Sequence, residues 1–121
     1  MHSTMTGKST GQLEAQISEA MVKFEREHMG RGPIRTHTYI LDDMVIVRLE
    51  GVLTPAEMQL GKDLAGVKLL KEVRMMLIEN SKDMLKHLIK QIIDRDVVSM
   101  HSDISGKTGE RIIVFTLKET S

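Results

Sequence analysis

The stretch "GRGPIRTHTYILDDMVIVRLEG", residues 30–51, decides the fold because it ends one element and supplies the next two. Gly30 is placed to end a preceding helix in a left-handed conformation, and Pro33 prevents that helix from resuming. The segments "RTHTYIL" and "MVIVRLEG" are rich in β-branched residues, and the Asp42-Asp43 step between them favours a tight turn. These features predict a helix end, a turn that includes Gly32, and a β-hairpin.

Ahead of this stretch, apolar residues recur at steps of three and four, which predicts a helix from about residue 12 to residue 29. The face of this helix consists of Leu13, Ile17, Ala20, Met21, Phe24 and His28. Glu25 and Glu27 are interpreted as ordinary solvated acids. Residues 1–11 are polar and are predicted to form a tail, which leaves a single domain at residues 12–118.

The segment "LTPAEMQL", residues 53–60, carries the signals of a helix start. Thr54 can cap the helix, Pro55 suits its first position, and Glu57 completes a capping box. This segment therefore begins the second helical part of the chain.

Two glycines follow, and they predict that the second helical part is interrupted. Gly61 and Gly66 weaken a helix, so we expect a short helix, a bend and one long helix to about Ile93. Two further β-rich segments, residues 96–103 and 110–117, flank the glycine-containing loop "ISGKTG". The order α-β-β-α-α-β-β predicts an α+β fold, a four-stranded, mostly antiparallel sheet with helices packed on one face.

Two features of the apolar residues leave alternatives open. The last strand is apolar on both sides from Ile112 to Phe115, so it is either central and covered or it meets another subunit. The chain also has ten methionines against three aromatic residues. Methionine fills irregular cores, and it also suits adaptable subunit contacts.

Composition excludes several classes of function. Seventeen basic residues balance 17 acidic ones, and few aromatic residues are present, so we expect no nucleic-acid partner. The chain has no cysteine, which excludes disulfides and thiolate metal sites. No apolar run approaches the roughly 20 residues of a membrane helix. We expect a soluble cytoplasmic protein with no direct membrane insertion and no cofactor.

One arginine lies within the apolar stripe of the long helix. Arg74 is close to the centre of this stripe, which consists of Val67, Leu70, Leu77, Ile78, Leu85, Leu88 and Ile92. A buried guanidinium without a partner costs many kcal/mol, so Arg74 needs a carboxylate, carbonyl groups, a bound anion or an opening to water. A structural or intersubunit ion pair, with Glu57 as a candidate, and an anion-binding site are both retained as interpretations.

The glycine turn offers a second candidate anion site. Arg31 and Arg35 flank Gly32 and Pro33, and two guanidiniums with backbone amides can hold a phosphate or carboxylate. The preceding helix C-terminus repels anions, which favours a purely structural turn.

Other motifs give weaker signals. His101, Asp103 and His37 are a weak candidate metal set, and we expect Asp103 to anchor its loop. The sequences "GKS" and "GKT" lack the glycine of a P-loop, because His2 and His101 occupy its position. We therefore assign no metal and no catalytic residues.

The chain resembles a known bacterial family from about residue 12 to residue 118. The residues that carry the resemblance are Gly30-Arg31-Gly32-Pro33, Leu53-Thr54, Glu57, Leu60, Gly66, Arg74, His101-Ser102-Asp103, Gly109-Glu110 and Phe115-Thr116-Leu117. They are similar to the MpsC-like family, which is labelled component C of a Na+-translocating, membrane-potential-generating system. The chain departs from the family pattern at Asp94-Arg95, where members often have a Thr-Gly step.

The resemblance implies a context without supplying a mechanism. It implies an association with membrane proteins linked to ion or inorganic-carbon transport in bacteria. We therefore expect a soluble, non-enzymatic accessory or regulatory protein that forms a homo-oligomer and has a membrane transport protein as a partner. The alternative is a small-anion or nucleotide sensor that uses Arg74 and the Gly30-Pro33 turn, with Arg31 and Arg35 contributing charge.

Overall fold

The computed structural model describes residues 7–119, which form four helices and a four-stranded antiparallel sheet. The helices are α1 (Thr10–His28), α2 (Pro55–Leu60), α3 (Leu64–Asn80) and α4 (Lys82–Ile93). The strands are β1 (Arg35–Leu41), β2 (Met44–Glu50), β3 (Val97–Ile104) and β4 (Arg111–Leu117). The predicted α+β class and order of elements are confirmed.

The first helix begins two residues earlier than predicted, because a capping box fixes its start. The backbone N–H of Gln12 donates to the Ser9 hydroxyl at 3.2 Å, and the Gln12 side chain accepts from the Ser9 N–H at 2.9 Å. Of the predicted polar tail at residues 1–11, residues 1–6 lie outside the described part. At the other end, Gly30 has a φ of 99°, as its predicted role in ending the helix requires.

The sheet has the strand order β1-β2-β4-β3. β1 and β2 form the predicted hairpin, in which Leu41 pairs with Met44 and Asp42 adopts a φ of 52°. β4 is an interior strand of the sheet, so of the two predicted alternatives its central position is found, but only one of its faces is covered. Its inner-face side chains are buried against the helices, whereas its outer-face side chains are only half-buried. The outer face of the sheet is therefore open in the single chain.

The predicted long helix is interrupted at Ser81, which ends α3 and precedes α4. The Ser81 N–H donates to the Ile78 carbonyl at 3.1 Å, a tighter turn than an α-helix makes. The buried residues of α4 are Leu85, Ile89 and Ile93. Of the predicted stripe, Leu85 is therefore buried, whereas Leu88 and Ile92 are partly buried against the core.

Gly61 and Gly66 do more than weaken a helix, because each lies against a neighbouring backbone. A Cβ atom at Gly66 would lie 1.8 Å from the Leu60 carbonyl oxygen. A Cβ atom at Gly61 would lie 2.1 Å from the carbonyl oxygen of Gly106 in the β3–β4 loop. The absence of side chains therefore allows α2 to pack tightly against the start of α3 and against this loop.

We expect the Gly66→Ala variant to be less stable than the wild type. Alanine normally stabilises a helix by about 1 kcal/mol relative to glycine, but here the Cβ displaces the backbone at Leu60. Gly11→Ala is the matched control, because a Cβ at this helical glycine would have no other atom within 4 Å, so this variant should gain stability. Thermal unfolding of both variants measures the difference. Equal stabilisation in the two variants would contradict the close contact.

Candidate functional site around the buried charges

Arg74 is buried in the middle of α3, with 2% of its surface exposed. Its guanidinium binds the Glu57 carboxylate in a bidentate manner, with Nε 2.8 Å from Oε2 and Nη2 2.5 Å from Oε1. Nη2 also donates to the Val52 carbonyl at 3.2 Å. The predicted carboxylate companion is therefore Glu57, and the ion pair lies within one chain.

Glu57 serves α2 and α3 at the same time. One of its carboxylate oxygens accepts the Thr54 N–H at 2.9 Å, and the Thr54 hydroxyl accepts the Glu57 N–H at 3.2 Å. Burial alone would favour the neutral acid. The hydrogen bonds from Arg74 and from the Thr54 backbone nevertheless hold the pKa of Glu57 below its usual value. The predicted capping box is thus also the anchor of the buried arginine.

A second buried ion pair joins the first helix to the last strand. Glu25 on α1 and Arg111 on β4 are both 0% exposed, and Arg111 Nε lies 3.2 Å from Glu25 Oε2. The interpretation of Glu25 as a solvated acid was wrong. Glu25 follows Met21 by four residues, so it lies on the apolar face of α1 and turns toward the sheet.

Glu25, Glu57, Arg74 and Arg111 form what we call the buried charge cluster. Arg74 and Glu57 both act electrostatically on Glu25 and on Arg111, although each belongs to a different pair. The cluster contains two acids and two bases, so its formal charges cancel. It connects α1, α2, α3 and β4 at one place in the core.

Burial dominates the electrostatics of the Glu25–Arg111 pair. Desolvation raises the pKa of Glu25, and the nearby Arg111 and Arg74 charges only partly offset this effect. Desolvation also lowers the pKa of Arg111, against the opposing attraction of Glu25. Within residues 7–119, neither the Glu25 carboxylate nor the Arg111 guanidinium makes a hydrogen bond of good geometry. This pair therefore costs more to bury than the bidentate Arg74–Glu57 pair.

One of the two other predicted arginines holds the same segment that Arg74 holds. Arg31 Nη1 donates to the Leu53 carbonyl at 3.0 Å, one residue after the carbonyl that Arg74 binds. Arg35 forms an exposed ion pair with Glu50 at 3.5 Å. Arg31 and Arg74 therefore contact the β2–α2 connection, whereas Arg35 pairs with the last residue of β2. The three guanidiniums do not converge on one anion.

The weak candidate metal set does not assemble. His37 lies on edge strand β1 and His101 on edge strand β3, with two strands between them. Asp103 pairs with Lys71 at 3.1 Å and accepts the Ile104 N–H at 2.8 Å, which holds its pKa below the usual value. Among the described residues, no group of three or more acids and histidines is close enough to hold a metal ion.

A groove of about 530 Å3 lies between α1 and the start of β1. The α1 side contributes Ser18, Glu19, Lys23 and Arg26, and the β1 side contributes Pro33 to Thr36. The predicted glycine turn therefore borders a real concavity. Lys23 and Arg26 are exposed and have no ion-pair partner within residues 7–119. Sequence analysis missed both residues, because they occupy ordinary polar positions of an amphipathic helix.

Several large apolar side chains are exposed on the helices. This helical apolar surface consists of Met58, Leu60, Leu64, Leu69, Val73, Met76, Leu77 and Met84. Leu64 alone is 88% exposed. By contrast, Met21, Met29 and Met100 are buried, so the methionines serve both the core and a surface. Apolar patches of more than a few hundred Å2 usually mark protein contacts.

Comparison with known proteins agrees with the resemblance. The family described as "Na+-translocating membrane potential-generating system (MpsC)" matches residues 9–119. The chain is also 41% identical over 110 residues to "Uncharacterized protein YbcI" of Bacillus subtilis (strain 168), an alignment that covers 91% of this chain and 89% of that protein. No solved structure matches the chain. Within the described part, none of the helices combines the length and the apolar content that a membrane span requires.

We expect single and double substitutions of the Glu25–Arg111 pair to have opposite outcomes. Arg111→Met leaves a buried carboxylate without a partner and should lower the free energy of unfolding by about 3–5 kcal/mol. Glu25→Met combined with Arg111→Met removes both charges and should recover most of that loss. Urea unfolding at a fixed protein concentration measures both values.

The control for this pair is Glu27→Met, an exposed position two residues along α1, which should change stability by no more than about 0.5 kcal/mol. If the free energy of unfolding of the double variant is no higher than that of Arg111→Met, removal of the Glu25 charge does not compensate for the loss of Arg111, and the two charges do not depend on each other.

Proposed function

This chain belongs to the MpsC family, and from that membership we propose that it is an accessory or regulatory component of a bacterial membrane system that transports ions or inorganic carbon. In this proposal the protein is soluble, cytoplasmic and non-enzymatic. It assembles as a homo-oligomer and binds a transport protein of the membrane. The observation that carries the proposal is the family match over residues 9–119.

The use of the charged residues supports a structural rather than catalytic role for them. Arg74 binds Glu57 and the Val52 carbonyl, Arg31 binds the Leu53 carbonyl, and Arg35 pairs with Glu50. Arg111 is buried against Glu25. Groups that already bind the chain itself in this way stabilise surfaces, whereas a catalytic group must be within reach of a substrate.

The helical apolar surface is the contact that we assign to the membrane partner. It is carried by α2, α3 and the start of α4, the part of the chain that contains Glu57 and Arg74. Three of its eight residues are methionines, which adapt to irregular partner surfaces. A helix that is apolar on both its buried and its exposed sides is normally covered by another protein segment.

We expect charge in the helical apolar surface to abolish partner binding while leaving the fold intact. Leu69→Glu and Met76→Glu change exposed residues, so the free energy of unfolding should shift by no more than about 0.5 kcal/mol. The wild type should co-purify from its native host with an integral membrane protein of a transport system, identified by mass spectrometry, and these variants should not. Val98→Glu, an exposed site on β3, is the matched control.

The physiological measurement uses a host strain from which this protein has been deleted. The Na+-dependent membrane potential or the inorganic-carbon uptake of that strain should be lower than that of the parent strain. Expression of the wild-type protein should restore the lost activity, whereas expression of Met76→Glu should not. An unchanged potential and unchanged uptake in that host would contradict the proposed function.

The groove between α1 and β1 favours a small-anion sensor as the second candidate. Lys23 and Arg26 line it beside Pro33 and have no ion-pair partner within residues 7–119, whereas Arg35 also pairs with Glu50, and Glu19 and Glu27 belong to the same lining. Arg74, in contrast, is buried and bound to Glu57, so we place the anion at the turn and not at Arg74.

A thermal-shift series with bicarbonate, phosphate and nucleotides tests the sensor. A ligand at about 100 times its dissociation constant stabilises its protein by about 2.7 kcal/mol, and Arg26→Ala should remove that shift. Lys107→Ala, on the distant β3–β4 loop, should retain it. The sensor hypothesis fails if wild type shows no shift or if Arg26→Ala shifts equally.

A further inference from the structure

We propose that two copies of this chain pair through the exposed edge of β1, so that their sheets join into one eight-stranded antiparallel sheet. This inference rests on the self-association part of the proposed function and specifies its interface. The helical apolar surface remains free in this arrangement, because it lies on α2, α3 and α4 while the edge belongs to β1.

The edge of β1 presents free backbone groups at two adjacent positions. The Ile40 N–H points away from β2, because it donates to Glu14 Oε2 on α1 at 2.9 Å. Backbone groups alternate in direction along an antiparallel strand, so the N–H and C=O groups of Thr36 and Thr38 also point away from β2. Within residues 7–119 these groups of Thr36 and Thr38 have no partner. An edge of this kind is a template for another strand.

A two-fold axis at His37 satisfies these groups with a second copy. It pairs Thr36 with Thr38 of the partner subunit and pairs Thr38 with Thr36 of the partner subunit, each through two N–H···O=C bonds. Ile40 keeps its bond to Glu14 in this register. Because the two free positions are two residues apart, the edge complements itself without leaving a donor unused.

The Thr36 side chain provides a second, independent observation. Its hydroxyl oxygen is buried and has no hydrogen-bond partner within the described residues, whereas the Thr38 hydroxyl pairs with Ser18 at 2.8 Å. In the proposed register, Thr36 lies directly opposite Thr38 of the partner subunit on the inner face. Facing threonines of neighbouring strands form hydrogen bonds, so the second copy supplies the partner that the single chain lacks.

Charges on α1 match the same axis. The hydrogen bonds Glu14–Ile40 and Ser18–Thr38 show that α1 and β1 run in opposite directions. An advance of four residues along α1 corresponds to two residues back along β1. Extending this spacing places His37, and with it the axis, opposite residue 20 of α1, so that Glu19 and Lys23 lie on either side of the axis. Glu19 then lies beside Lys23 of the partner subunit, and Lys23 lies beside Glu19 of the partner subunit. Both side chains border the groove, and neither has an ion-pair partner in its own chain within residues 7–119.

The outer face of the joined sheet is compatible with this register. Arg35 lies opposite Tyr39 of the partner subunit, where its guanidinium can pack against the aromatic ring. His37 faces its own copy across the axis. The exposed side chain of Tyr39 thereby gains a neighbour that the single chain does not provide.

Backbone and charge variants test the interface by analytical ultracentrifugation of the full chain. Wild type should dimerise, and Thr36→Pro should weaken dimerisation roughly tenfold or more, since it removes an outward N–H without breaking the β1–β2 ladder. Thr36→Val keeps the N–H and should weaken dimerisation less. Glu19→Lys and Lys23→Glu should each weaken it roughly tenfold, and the combined variant should restore it. Lys107→Glu is the control of equal charge change and should have no effect.

Several results would overturn the interface. They are a wild type that stays monomeric at its highest soluble concentration, a dimer that persists in Thr36→Pro, and a combined charge variant that is weaker than either single variant. A dimer that is lost in Met76→Glu but not in the β1 edge variants would place self-association on the helices instead. Circular dichroism identifies any variant that unfolds. If Thr36→Pro unfolds, the Glu19 and Lys23 charge variants alone test the interface. Co-purification of the membrane partner is a separate measurement. A failure to dimerise therefore contradicts the interface but not the proposed accessory function.

Discussion

The bidentate bond between Arg74 and Glu57 is the interaction on which the arrangement of the helices depends. A guanidinium that is 2% exposed has no access to bulk water, so it requires oxygen partners at fixed positions. Glu57 supplies two of them and simultaneously caps α2, and the Val52 carbonyl supplies a third. The start of α2, the middle of α3 and the connection after β2 are therefore fixed relative to one another by one carboxylate. Arg31 reinforces the same connection from the α1 side through the Leu53 carbonyl.

The sequence offered this ion pair as one of two interpretations of Arg74, beside an anion site, because all of its elements are local patterns. The apolar period of α3 places Arg74 on the buried face, and the "LTPAE" start places Glu57 at a capping position. Glu25 and Arg111 escaped prediction for the opposite reason. They are distant in sequence, and the helical period shows only that Glu25 lies on the apolar face, not that a base on the last strand meets it. The break at Ser81 was missed because a serine is compatible with a continuous helix, and the buried residues Ile78, Leu85 and Ile89 keep the helical period across it.

The roles of the glycines show where propensity is a poor guide to function. Gly61 and Gly66 read as helix-weakening residues, yet the structure uses them for backbone contacts that no side chain permits. Together with the buried charge cluster they set the position of α2 and α3, the helices that expose most of the helical apolar surface. The surface that we assign to the membrane partner is thus held in shape by polar and glycine contacts beneath it.

The buried charge cluster also explains how a small chain can hold two surfaces in a fixed relation. Glu25 belongs to α1, which borders the β1 edge, and Arg74 belongs to α3, which carries part of the helical apolar surface. An apolar core tolerates small sliding of its elements, because dispersion contacts are non-directional and can be exchanged. Buried charges do not tolerate it, since a displacement that separates a pair leaves each partner desolvated without compensation. Because Arg74 and Glu57 also act electrostatically on Glu25 and Arg111, movement of α1 against α3 is opposed by both pairs. In the assembly that we propose, with one edge against its own copy and one face against another protein, the chain would benefit from this rigidity, which would offset the desolvation that the cluster costs.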